Sequence, residues 1–252
     1  MPAIIRRTPA GVISTIVALL IWQFIGSFGP LAGDSFATAS EAIAALIALV
    51  TDSVFWAAVG QTLQMAVLGF VISVVVAVPL GLLIGLSRFS YRSTKFTFDF
   101  FKVIPPIVII PIAILAIGPN IAMGVVLVIF ANVFAVAIQT AYGVRDTDPV
   151  LLETMRCYRF NVLQQVLHAR LPSAAPQIAV AIRLAASAAL IVAVVAGLVG
   201  GAPGLGNLLM RYQSGGQVDK TYAVLLALGI FGILVSRLIV RAQRRIIFWT
   251  GR

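Results

Sequence analysis

The chain has 252 residues, 61% hydrophobic and 10% charged, with a mean hydropathy of +1.07 and a net charge of +10. Soluble domains carry about 25% charged and about 45–50% apolar residues, so a soluble globular fold is excluded and an all-α integral membrane protein is expected. One cysteine, Cys157, and one histidine, His168, exclude an internal disulfide, a multi-cysteine metal site and a histidine cluster.

A spanning helix needs about 20 mostly apolar residues, and six segments approach that. The first, residues 11–29, follows Arg6-Arg7 and could also be the apolar run of a signal peptide. It is longer than such a run usually is, and ATASEA is a weak cleavage site, so a retained helix is expected. Residues 38–50, TASEAIAALIALV, begin with a cap at Ser40 or Thr38 and are too short to span. They read as a helix lying on the outer interface. The second span is 59–87; the third, 103–118, is short and interrupted by Pro105, Pro106 and Pro111. The fourth is 121–143, the fifth 174–199 and the sixth 221–241. Residues 200–220 read as a Gly-rich outer loop. Its Gly204-Leu205-Gly206 lacks the preceding strand and the glycine spacing of a phosphate loop, so it reads as a tight turn.

Lysine and arginine in short loops orient such a chain. With the N-terminus inside, the inner segments hold Arg6, Arg7, Arg88, Arg92, Lys95, Lys102, Arg145, Arg156, Arg159, Arg170, Arg237, Arg241, Arg244, Arg245 and Arg252. The outer ones hold only Arg211 and Lys220, while Asp34, Glu41, Asp52 and Asp219 outside balance Asp99, Asp146, Asp148 and Glu153 inside. Six spans with both termini in the cytoplasm follow. The basic excess is accounted for by topology, and no nucleic-acid partner is expected.

The spans read as free of mid-depth carboxylates, which removes the usual signature of proton or sodium coupling. Gln61, Gln64, Asn132 and Gln139 are their more polar residues. Interhelical hydrogen bonding is the first role for them; Gln64, Asn132 and Gln139 are the candidates for contact with a solute. No P-loop and no nucleophile–base pair is readable, so the chain is not expected to be an enzyme or to hydrolyse ATP itself.

The exception to this apolar pattern is LLETMRCYRFNVLQQVLHARLP at 151–172, on the inner side between the fourth and fifth spans. From Pro149 the pattern is helical, with Leu152, Met155, Phe160, Leu163, Val166 and Leu167 as an apolar stripe interrupted near Arg159. Such a helix can lie on anionic lipid or dock in a partner's groove, and physics alone leaves both open.

This segment resembles the EAA loop of binding-protein-dependent ABC importer permeases. Glu153-Thr154-Met155 stands for Glu-Ala-Ala, Arg159 for the glycine, Ala169 for the isoleucine, and Leu171-Pro172 closes the motif. FKVIPPIVIIPIAILAIGP at 101–119, TAYGVRDTDPVLLE at 140–153, LPSAAPQIAVAIRLAASAAL at 171–190 and GAPGLGNLL at 201–209 extend the likeness over 58–245. It is most similar to the nitrate, sulfonate, taurine and bicarbonate branch. The resemblance implies a single transmembrane permease domain over 1–252, of the type I ABC importer kind, with a cytoplasmic coupling loop at 145–172. Two ATPase subunits, a second permease subunit, an extracytoplasmic solute-binding protein and membrane lipid are the implied partners. ATP and magnesium would sit on the ATPases, with no cofactor on this chain, and the location would be the bacterial cytoplasmic membrane. Glu153, Thr154, Met155, Arg156, Arg159, Phe160, Leu171 and Pro172 are the implied coupling residues. The lever would be a helix stopped by Leu171-Pro172, and the substrate a small anion or a vitamin-precursor-like solute chosen largely by the binding protein.

Two departures stand out. Arg159 replaces a glycine that would turn the chain cheaply between two short helices. Gly197-Leu198-Val199-Gly200 lacks the glutamate that family members often carry before the outer loop. Both suggest a heterodimer with a more typical permease, against the homodimer that is the default for oligomers. Arg183 matches the family's Gly-Leu-Arg position and reads as a hydrogen-bonding structural residue. A membrane scaffold that binds a cytoplasmic partner without moving solute, and a proton-coupled transporter, are the competing readings.

Overall fold

A computed structural model describes residues 8–28 and 36–246. Arg6, Arg7, Asp34 and Arg252, which entered the topology argument, lie outside the described residues. The chain folds as two compact units, Met1–Ala58 with Leu208–Ile230, and Val59–Asn207 with Phe231–Arg252.

In the first unit, helix α1 (Thr8–Phe28) is followed by α2 (Ala39–Val50). Thr38 caps α2 with a full capping box. The Glu41 amide donates to the Thr38 hydroxyl, and the Thr38 amide donates to Glu41 Oε2 at 2.8 Å. At 12 residues α2 rises about 18 Å, too short to cross a bilayer, as its sequence indicates. Trp22 Nε1 donates to the Ala37 carbonyl at 3.0 Å and the Ser40 amide to Gln23 Oε1 at 3.0 Å, which ties α2 back to α1.

The remaining helices are α3 (Ser53–Leu86), α4 (Arg88–Val103), α5 (Pro106–Ile117) and α6 (Ile121–Arg145), then α7 (Pro149–Cys157), α8 (Val162–Gln165) and α9 (Leu171–Gly200), and finally α10 (Leu205–Ser214) and α11 (Val218–Ile246). By length and apolarity, four helical runs among the described residues can cross a membrane: α3, α6, the run Val162–Ser214 that contains α9, and Val218–Leu238. A fifth is counted if α4 and α5, bent by 85° at their junction, make one span. The apolar part of α1, Ile13–Phe28, is shorter than these.

The third expected span, 103–118, is corrected by this bend. Ile104, held extended by the proline after it, sits at φ −68°, ψ 116°, and Pro105 and Pro106 start a new helix. Alone, the 12 residues of α5 rise about 18 Å. What precedes it is not an inner loop but α4, running antiparallel along α6. Tyr91 meets Tyr142 at 6.0 Å between ring centroids, Phe98 meets Phe134 at 5.4 Å, and Phe101 meets Phe134 at 5.0 Å and Phe130 at 6.3 Å. Arg145 stacks on Tyr91 at 4.3 Å and fixes the start of α4 to the end of α6. Asp99 and Lys102 therefore lie beside the middle of α6. The two are paired with each other, one turn apart on α4.

Helices α6 and α9 form the centre of the second unit. Their contact is built from small side chains, Ala137 and Ala141 on α6 and Ala174, Ala181, Ala185 and Ala189 on α9, all buried. In lipid, where apolar side chains gain nothing by leaving the solvent, close approach of small residues is what holds helices together. Helix α3 packs on the same core through Gly81, where an added Cβ would lie 2.3 Å from the Ala137 carbonyl oxygen. Gly81→Ala is expected to cost about 1–3 kcal/mol through overpacking, whereas Gly60→Ala, with nothing within 4 Å, should be neutral. Unfolding of the two variants in detergent, measured side by side, checks this.

Candidate functional site

The polar segment is a helix–turn–helix whose every bend has a local cause. Buried Thr147 returns its hydroxyl to the Val144 carbonyl at 2.9 Å as α6 ends. Asp148 then caps α7, accepting from the Val150 amide at 2.8 Å, and Pro149 occupies the first helical position, where its missing N–H costs nothing. Helix α7 closes in a Schellman turn. The Arg159 amide donates to the Arg156 carbonyl and the Phe160 amide to the Met155 carbonyl, both at 2.9 Å.

That turn needs one left-handed residue, and it is Arg159, at φ 58°, the non-glycine with positive φ among the described residues. Arginine enters this conformation less readily than glycine, at a cost of about 1–2 kcal/mol. The two hydrogen bonds of the turn offset that cost. Asn161 then opens α8 with a second capping box, exchanging bonds with Gln164 at 2.8 Å in each direction. Buried Gln165 sends Nε2 to the Phe160 carbonyl at 3.0 Å.

One expectation is corrected. Leu171-Pro172 does not stop a helix. A π-helical turn, Val166–Arg170, joins α8 to α9 without a break, with the Leu171 amide bonded to the Val166 carbonyl. Pro172 has no N–H for the His168 carbonyl, and the wider π turn accommodates that gap. The interruption of the apolar stripe near Arg159 is this turn. Met155 is buried and Leu152 and Val166 are half-buried, whereas Leu163 and Leu167 are exposed. The outward face instead gathers Val150, Tyr158, Val162 and Leu163 beside exposed Glu153, Thr154, Arg156, Arg159 and Phe160. Leu171 is half-buried and Pro172 exposed.

A cavity of about 320 Å³ lies among α4, α6 and α9, lined by Lys102, Asn132, Gln139 and Tyr142 and otherwise mostly by alanine, with Val136, Ile138 and Leu184. Asn132 and Gln139, seven residues apart on one face of α6, meet there; Gln64 is exposed on α3 and is not part of it. Asn132 is 2% exposed and its Nδ2 has no hydrogen-bond partner among the described residues, so it does not act as the interhelical tie expected of it. Lys102 is not among the site candidates that the sequence offers, because hydropathy reads its helix as a loop. The alternation of aromatic and charged residues in RFSYRSTKFTFDFFKV is the signal that points to it. Arg183 is exposed on α9 and makes no side-chain hydrogen bond or ion pair among the described residues, so the structural hydrogen-bonding role is not seen.

At the other end of α9, the expected loop 200–220 contains a helix, α10. Gly204, at φ 143°, turns the chain so that the Leu205 amide reaches Thr62 Oγ1 at 2.8 Å, with Leu205 itself buried. Gly206 lies so close to α9 that a Cβ would meet the Val194 carbonyl oxygen at 2.1 Å.

A family described as "Binding-protein-dependent transport system inner membrane component" matches residues 77–248. The permease SsuC of Bacillus subtilis (strain 168), named for aliphatic sulfonates transport, is 26% identical over 95% of this chain and 87% of its own length. The bicarbonate transport system permease protein CmpB of Synechococcus elongatus is 25% identical over 91% of this chain and 86% of its own. The nitrate import permease protein NrtB of Leptolyngbya laminosa is 22% identical over 93% and 86%. Among solved structures, the MetNI methionine ABC transporter in an inward-facing conformation aligns with a TM-score of 0.67 at 21% identity, over 79% of this chain and 97% of that one. A bacterial transporter involved in import of the polysaccharide alginate aligns with a TM-score of 0.67 at 14% identity, over 96% and 97%.

Because the left-handed turn at 159 carries an arginine, Arg159→Gly is expected to stabilise the segment by about 1 kcal/mol and Arg159→Val to destabilise it by a similar amount. Slower limited proteolysis at 157–161 in the glycine variant, and faster in the valine variant, is the expected result.

Proposed function

The chain belongs to the family of inner-membrane components of binding-protein-dependent transport systems, and we propose that its segment 145–172 is the lever that receives the ATPase stroke. It is a permease subunit of an ABC importer, a family of transporters rather than of catalysts. The observation that carries the lever is the doubly capped turn. The Schellman bonds at 155–160 and the capping box at 161–164 hold α7 and α8 at a fixed angle, and the π turn continues that rigidity into α9. A segment built to lie loosely on lipid has no need of such stiffness.

In this reading Glu153 meets a basic residue of an ATPase groove, and Val150, Tyr158 and Val162 fill its apolar part. Thr154, Met155, Arg156, Arg159, Phe160, Leu171 and Pro172 shape or flank that surface. Two ATPases carry ATP and magnesium, a solute-binding protein delivers substrate from outside, and the permease lies in the bacterial cytoplasmic membrane with both termini in the cytoplasm. The substrate is a small anion, in keeping with relatives named for sulfonates, nitrate and bicarbonate.

Neither departure from the family pattern demands an unlike second permease. Arg159 takes the glycine's conformation itself. Gly197 stands where an added Cβ would meet the Asn207 amide nitrogen at 3.0 Å and Gly206 Cα at 3.2 Å, so a glycine there fits the close packing of α9 on this chain's own α10. A symmetric pair is the simpler assembly. Native mass spectrometry of the purified complex is expected to show one permease species in two copies; two species would establish the heterodimer.

Glu153→Ala is expected to weaken ATPase co-purification and to lower ATP-dependent uptake about tenfold, the worth of one charge-assisted hydrogen bond, with normal insertion. Wild-type co-purification together with wild-type uptake would reject the lever, and wild-type complexes that never accumulate solute with ATP would favour the scaffold.

A further inference from the structure

We propose that the cavity among α4, α6 and α9 is an anion-holding subsite of the translocation pathway, with Lys102 and Asn132 as its binding groups. The proposal rests on the anion reading above and adds the place and the donors.

Its polar groups are rich in hydrogen-bond donors. Lys102 contributes an ammonium with three N–H bonds. Asn132 contributes Nδ2, in a residue 2% exposed, with no acceptor among the described residues. Gln139 adds an amide and Tyr142 a phenol. The rest of the lining is apolar, and the Asp99 carboxylate, outside the lining, is bonded to Lys102. A buried donor without an acceptor is rare in proteins and calls for a partner from outside. In an apolar surrounding a charge–charge attraction is screened less than in water. These groups suit a small monoanion with oxygen acceptors, such as nitrate, bicarbonate or a short sulfonate, and a cavity of about 320 Å³ has room for one.

The ion pair explains why such a subsite would not trap its ligand. Lys102 is bonded to Asp99 three residues earlier on α4, with both side chains about one-third exposed. An arriving anion competes with Asp99 for the ammonium, and Asp99 reclaims it when the anion leaves. The exchange keeps binding weak enough for passage, which any conducting site requires.

The test uses the whole complex, with its ATPases and binding protein, in proteoliposomes, and the probes are labelled nitrate, bicarbonate and ethanesulfonate. Co-purification confirms assembly of each variant. Lys102→Gln should lower uptake of the anion that wild type imports about tenfold, and Lys102→Arg should retain most of it. Asn132→Asp, nearly isosteric but negative, should fall further than Asn132→Ala. Uptake by Lys102→Gln and Asn132→Asp at the wild-type rate would overturn the subsite while leaving the anion reading intact. Equal loss in Lys102→Gln and Lys102→Arg would also overturn it. Wild-type import of none of the three anions, with an uncharged solute taken up instead, would bring down the anion reading itself.

Discussion

The close packing of α6 against α9 is the contact on which the second unit depends. Two antiparallel helices approach through alanines, and a glycine of α3 packs on the same surface. Three consequences follow from that one contact. The segment 146–170 connects the ends of these two helices, so any force on it is applied to both. Helix α4 leans on the aromatic face of α6. The cavity lies in the space that the small side chains of α6 and α9 leave open. A large residue at this contact would disturb the segment 146–170 and the cavity together.

The second theme is how the chain bends without leaving backbone groups unpaired, which an apolar medium punishes severely. Four of the breaks are supplied with a side-chain cap: Ser87 before α4, Asn120 before α6, Asp148 before α7 and Asn161 before α8. At Arg159 the Schellman bonds do the same work and impose a conformation that arginine adopts only under constraint. Strain of this kind, held in place by hydrogen bonds on both sides, defines an angle between two helices rather than a flexible joint.

Much of this is legible in the sequence. The long apolar runs at α3, α6 and α9 are strong signals, and the brevity of α2 and a cap at Thr38 or Ser40 follow from TASEAIAALIALV, the structure choosing Thr38. The family resemblance is carried by motif spacing around Glu153 and Leu171-Pro172. Helix α4 is illegible to hydropathy because charges dilute its aromatics, and only its partner α6 shows where those aromatics go. Lys102 therefore reads as a loop residue. The turn at 158–161 is legible as a break in the stripe near Arg159, at the position where the family carries glycine, but only backbone geometry shows that arginine itself takes the left-handed conformation. Asn132 stands out for its polarity, but its missing partner is a three-dimensional fact.

These elements make one account, in which ATP-driven force enters at the doubly capped turn and alters the cavity between α6 and α9. A cysteine placed at the cavity-lining Ala135, with Cys157 replaced by serine, reports on it directly. The rate of its alkylation from the cytoplasmic side is measured in the assembled complex with and without ATP. The account predicts that ATP lowers this rate several-fold and that Arg159→Pro, which cannot take φ 58°, abolishes the response while the complex stays assembled. An equal ATP response in the proline variant would contradict it.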